Sequence, residues 1–248
     1  MSGRARKTMD SFPTFLHNVS YMLVPLMVAV VFHEYAHGWV ANFFGDPTAK
    51  SLGRLTLNPI PHIDLWGSII VPLLLALTPG GFVFGWAKPV PINPARLHQP
   101  KRDMAFVALA GPLMNLFLAV VSGLLLAFFI HLDPTIQANW PPQPGVELRR
   151  DWLGMILVPL TAMALFSIAI NSILFAFNLV PIPPLDGSRV LTSFLPSKFA
   201  HALSRLEPYG ILIILGLFMI DPYVPVISTV VGTAYHFITG SLITNLVL

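Results

Sequence analysis

The chain has 248 residues, of which 55% are hydrophobic and only 10% charged. Soluble domains carry about 25% charged residues, so this composition excludes an ordinary soluble enzyme and points to a membrane. The net charge of +3 comes without a basic run interleaved with aromatics, which excludes nucleic-acid binding, and the absence of Cys excludes disulfides and thiol catalysis.

Arg4, Arg6 and Lys7 precede an apolar run from Val19 to Phe32, in the manner of a signal peptide. No A-x-A site ends the run, so the segment is expected to stay in the protein. The first membrane segment is expected from about His17 to Phe44. It contains His33-Glu34-Tyr35-Ala36-His37, the H-E-x-x-H pattern, and from Ser11 to Gly45 the only charged residue is Glu34. Two His at i and i+4 face the same way on a helix and can share one Zn²⁺. The Glu beside the first His is placed to take a proton from water. A charge at membrane depth costs at least ~2.5–3.5 kcal/mol, so these residues mark a candidate functional site.

Leu65 to Thr78 is marginal for a span. It holds Gly67 and Pro72, and it reads either as a short span or as a re-entrant segment lining protein or a watery cavity. Gly81 to Asn93 is expected to be extended. Phe82-Val83-Phe84 is β-prone, and Pro89 and Pro91 belong on a strand edge. A protease has to hold its substrate extended, and strand addition to such an edge achieves this. That reading makes Phe84, Trp86 and Lys88 substrate-binding residues. The alternative is a surface loop with Trp86 and Lys88 anchored at the headgroups.

Further spans are expected at Met104–Ile130, at Trp152 to about Val180, and as two in the tail Leu203–Leu248, split near Asp221-Pro222. The expected fold class is an all-α polytopic membrane protein. It would have five to six transmembrane helices and a small membrane-associated β-hairpin or re-entrant segment. One membrane domain is expected over residues 1–248, with a catalytic core at about 17–195 and a C-terminal helical hairpin at about 203–248.

Two His leave a tetrahedral zinc short of a protein ligand. Asp186 is the expected third, in Asn178-Leu-Val-Pro181-Ile-Pro183-Pro184-Leu185-Asp186-Gly187. The prolines end the preceding helix and free backbone groups that need polar partners. Zn²⁺ with Asp186 and Glu34 sums to neutral, which eases burial. This segment alone also allows Asp186 to be the N-cap of a short helix, Gly187–Leu195. Asn115, in Ala110-Gly111-Pro112-x-x-Asn115, is expected to brace the helices by a hydrogen bond of ~1 kcal/mol. His62 reads as a loop cap more readily than as a spare ligand.

The three motifs, in this order, resemble those of the site-2 protease family of intramembrane zinc metalloproteases. The likeness runs from roughly Val31 to Leu191. It implies one Zn²⁺ bound by His33, His37 and Asp186, with Glu34 as the water-activating residue. It implies a substrate-backbone contact at Asn178, structural support from Gly187, and a β-hairpin after the motif helix. Gly53–Pro59 and Phe84–Pro91 resemble a compact subgroup, and the PDZ or CBS domain of many members has no room here.

The expected function is hydrolysis of peptide bonds in or near transmembrane segments of membrane proteins or signal-peptide remnants. The expected partners are the bilayer and a membrane-spanning substrate. The alternative is a non-catalytic zinc-binding membrane protein, a metal transporter or an inactive scaffold. A transporter would string His and acids along several helices, whereas here they converge. Lys50, Arg54, Lys88, Arg96, Lys101, Arg102, Arg189, Lys198 and Arg205 place the loops near the site on the cytoplasmic side of a bacterial cytoplasmic membrane. This requires Leu65–Thr78 to re-enter, and it puts Arg4, Arg6 and Lys7 outside, against the rule.

Overall fold

The computed structural model describes residues 3–76, 85–133, 152–221, 223, 225 and 227–243, and side chains between 21 and 240 of these other than 76 and 227. Phe84 and the start of the Gly81–Asn93 stretch lie outside the described residues. Every regular element in the described residues is helical.

Helix α1 (Gly3–Phe43) ends where Gly45 takes a φ of 101°, a left-handed conformation that suits glycine. The next residue, Asp46, is fully buried. Its carboxylate accepts from the Thr48 N–H at 3.0 Å and the Asn93 N–H at 2.6 Å. One Asp side chain thus starts α2 (Thr48–Ser51) and ties it to the Gly85–Asn93 stretch. A wide helical turn, Leu65–Ile70, leads into α3 (Val71–Ala76). Asp64 caps it by accepting from the Gly67 N–H at 2.7 Å. At 1.5 Å per residue, Leu65–Leu75 reaches about half of a ~30 Å hydrocarbon core.

Helix α4 (Pro100–Leu132) and α5 (Trp152–Asn178) are the long apolar helices of the middle of the chain. The prolines after Asn178 stop α5 as the sequence implies. The chain then turns into α6 (Asp186–Phe194), α7 (Ser197–Ser204), α8 (Gly210–Ile220) and α9 (Ile227–His236).

Among the described residues, four stretches are long and apolar enough to cross a membrane: Tyr21–Phe43, Pro100–Leu132, Trp152–Asn178 and Ser197–Ile220. They expose large apolar side chains such as Phe117, Leu124, Phe128, Met155 and Leu212, as lipid contact requires. The all-α class is therefore present, with four such stretches where the sequence suggested five to six spans. No strand, and so no hairpin, occurs among the described residues.

The chain forms two compact units. One comprises residues 1–29, 116–173 and 232–248. It buries Ala119, Ala162 and Ala164, small residues that let helices approach closely. In it Ser122 donates to Ser167 Oγ at 2.7 Å, and Asn171 Nδ2 donates to the Ser167 carbonyl at 2.9 Å. The other unit comprises residues 30–115 and 174–231. It has two apolar clusters, one around Ala41, Leu97 and Val107 and one around Val180, Leu185 and Ile214. The candidate site lies in this second unit.

Candidate metal centre

The i, i+4 spacing on α1 turns His33 and His37 to one side, and both are buried. Their Nε2 atoms are 3.0 Å apart. Asp186, at the first residue of α6, brings Oδ2 to 3.2 Å from each of them. One ligand atom from each residue lies within 4.8 Å of the others, which positions the three to bind a metal ion. No side chain caps α6, and residue 185 before it is Leu. The Asp186 carboxylate is directed at the histidines instead.

The outer nitrogens decide the chemistry of the inner ones. His33 Nδ1 donates to Asn115 Oδ1 at 2.6 Å, and His37 Nδ1 donates to the Val107 carbonyl at 2.6 Å. With its proton on Nδ1, a neutral imidazole presents a bare lone pair at Nε2. Two such lone pairs and a carboxylate oxygen then face one point. Asp186 Oδ2 is buried and has no hydrogen-bond partner. Three electron-rich atoms this close suit a cation among them. Bonds of ~2.0–2.1 Å to a tetrahedral ion would separate ligands by about 3.3 Å, close to what is found, and two imidazoles with one carboxylate are a zinc donor set. The residues fit zinc.

Two further features of α4 build the centre. A Cβ on Gly111 would strike His37 Nε2 and stand 2.6 Å from His33 Nε2, so only glycine fits there. Pro112 follows inside the helix. It has no N–H to give the Ala108 carbonyl one turn back, next to the Val107 carbonyl that accepts from His37. Gly187 packs against the carbonyls of Leu179 and Val180, the latter 2.6 Å from its would-be Cβ, which lets α6 start close beneath the end of α5.

Glu34 is half-buried, and its Oε2 accepts from the Val90 N–H at 2.7 Å. Asn178 is also half-buried, and its Nδ2 donates to the Leu174 carbonyl one turn back at 3.0 Å. The Trp86 ring covers Gly67, and the Trp86 backbone N–H donates to the Gly67 carbonyl at 3.0 Å. Lys88 is exposed, with its backbone N–H given to His62 O at 2.9 Å. His62 Nε2 pairs with the Thr56 carbonyl at 3.0 Å, away from the metal centre, in keeping with a loop cap.

The family model for Peptidase family M50 matches residues 21–220. The chain belongs to peptidase family M50, the site-2 protease family. Among its relatives is a Bacillus subtilis protein named as a zinc metalloprotease, YwhC. It is 36% identical over 212 residues, covering 85% of this chain and 86% of YwhC. The Mycolicibacterium smegmatis protein Rip2, also named as a zinc metalloprotease, is 31% identical over 77% of this chain. That match covers 63% of Rip2, so this chain spans less than two thirds of it. A Methanocaldococcus jannaschii protein named in the same way is 36% identical over 73% of this chain and 74% of its own length. No solved structure matches the chain significantly. M50 membership and the four apolar stretches make this an integral membrane metallopeptidase.

Neither the Val107 carbonyl nor the Val90 N–H was singled out from the sequence, because every residue supplies a carbonyl and every residue but proline an N–H. Gly111 did have one. It stands in the motif with Asn115, and glycine in mid-helix costs about 1 kcal/mol relative to Ala, which calls for a packing reason.

Proposed function

We propose that this chain is an intramembrane zinc endopeptidase cutting peptide bonds in or near transmembrane segments of membrane proteins or of signal-peptide remnants. The convergence of His33, His37 and Asp186 beside Glu34 carries the reading. In it, the two imidazoles and the Asp186 carboxylate hold the ion. Zinc at that point supplies a Lewis acid that acidifies water and polarises a carbonyl. Glu34 accepts the proton from water and delivers it to the leaving nitrogen. Asn115 and the Val107 carbonyl keep the imidazoles in the ligating tautomer. Asn178 turns from Leu174 to a substrate carbonyl.

The reading extends to a single membrane domain over residues 1–248, whose catalytic core occupies about 17–195. Gly81–Asn93 holds the substrate extended, with Phe84, Trp86 and Lys88 beside it, and the half-length Leu65–Leu75 helix re-enters. The site then faces the cytoplasm.

The deciding experiment compares wild type with Glu34→Gln in vesicles containing a membrane peptide. Wild type should cleave. Glu34→Gln should keep about one zinc per chain while kcat falls by roughly 10²-fold or more. Zinc binding without cleavage by wild type would favour a transporter or scaffold instead.

A further inference from the structure

Pro89-Val90-Pro91 offers one backbone N–H in three residues, because proline has none. That N–H is the one bonded to Glu34 Oε2. The segment around it is pinned from several sides. Trp86 and Lys88 donate to the carbonyls of Gly67 and His62 at 3.0 and 2.9 Å, and Asn93 donates to Asp46. Arg54 Nη2 donates to the carbonyls of Lys88 at 2.9 Å and Pro89 at 3.3 Å. Val90 itself is buried, and its Cγ1 lies 3.1 Å from where a Cβ on Gly38 would stand. Gly38 is one turn beyond Glu34 on the same face of α1. Its bare backbone lets Val90 settle close enough for the N–H to reach the carboxylate.

A glutamate on a helix samples several rotamers unless something fixes it. A bond to one carboxylate oxygen fixes the group and leaves the other oxygen for proton transfer. We propose that the Val90 N–H, fixed by Arg54 and seated on Gly38, orients the Glu34 carboxylate for catalysis. Val90 and Arg54 are then positioning residues, and Pro89 and Pro91 remove competing donors from the strap. This rests on the reading of Glu34 as the base.

The test separates main chain from side chain. Val90→Pro deletes the N–H, and Val90→Ala keeps it. With KM and zinc content unchanged, Val90→Pro should lower kcat by about 10- to 100-fold. Val90→Ala should retain kcat. Arg54→Gln should also lower kcat, and Arg54→Lys, which still reaches one carbonyl, should recover part of the loss. Full kcat in Val90→Pro, or an equal loss in Val90→Ala, would overturn the proposal. Should Val90→Pro not fold, hydrogen exchange on the full-length, metal-free protein decides. A fragment of residues 89–91 carries the Val90 amide as its one backbone amide hydrogen. It should exchange faster in Glu34→Ala than in wild type, and equal exchange overturns the contact. Exchange needs no activity. An inactive wild type or an active Glu34→Gln would refute the protease reading while exchange still reports on the contact.

Discussion

Asn115 is fully buried, and its Oδ1 accepts from His33. Losing such a bond leaves the imidazole free to change tautomer or turn, and outer-shell losses of this kind cost about 10- to 100-fold in metal affinity. Asn115→Ala should weaken zinc binding by that factor, as read by competition with a chelator, and unchanged affinity would remove Asn115 from the site. Asp186 is tested differently. Asn caps a helix about as well as Asp but is a poor, neutral zinc ligand. Asp186→Asn should lose zinc while circular dichroism shows the helices intact. Normal zinc content would remove Asp186 from the ligand set.

Element by element, the centre depends on how closely α4 approaches α1. Gly111 marks the contact, since a Cβ there meets both imidazoles. Gly111→Ala should abolish zinc retention. Gly216, in the middle of α8, has nothing within 4 Å of its would-be Cβ. There the same change should be neutral or stabilise by up to ~1 kcal/mol, because only helix propensity acts. The pair of thermal melts and zinc assays checks both. Equal zinc retention in the two variants would mean that α4 does not press on the site. The short turn before α6 has the same logic. Gly187 admits the carbonyls of Leu179 and Val180, and this fixes where Asp186 starts its helix.

At the scale of the molecule, the three candidate ligands come from α1 and α6, with Asn115 and Gly111 from α4 behind them. An ion held there fastens these helices together in the folded state only. Binding at 100 times Kd stabilises by about 2.7 kcal/mol. Chelation should therefore lower Tm, and restored zinc should raise it again. An unchanged Tm would mean that no ion is held. Orientation has its own check. The chain has no Cys, so single cysteines introduced at Ser197 and Ser2 can be labelled without background. An impermeant thiol reagent should reach Ser2→Cys from outside intact cells and Ser197→Cys only after permeabilisation. The reverse pattern would turn the site outward.

The sequence by itself determined the membrane class, the long apolar helices and the five-residue motif. These follow from local quantities: apolar run length, the i, i+4 geometry of a helix, and proline's missing N–H. It also singled out Asp186 and Asn115, since buried polar groups are rare enough in apolar segments to count one by one. It left the role of Asp186 open, because a cap and a ligand need the same residue. Only the tertiary structure decided that its carboxylate faces His33 and His37. Likewise only the fold supplied the Val107 carbonyl, the Val90 N–H and the closeness of Gly111. Apart from proline's missing N–H, main-chain groups are the same at every residue, so side-chain patterns do not announce which of them will be brought to the site.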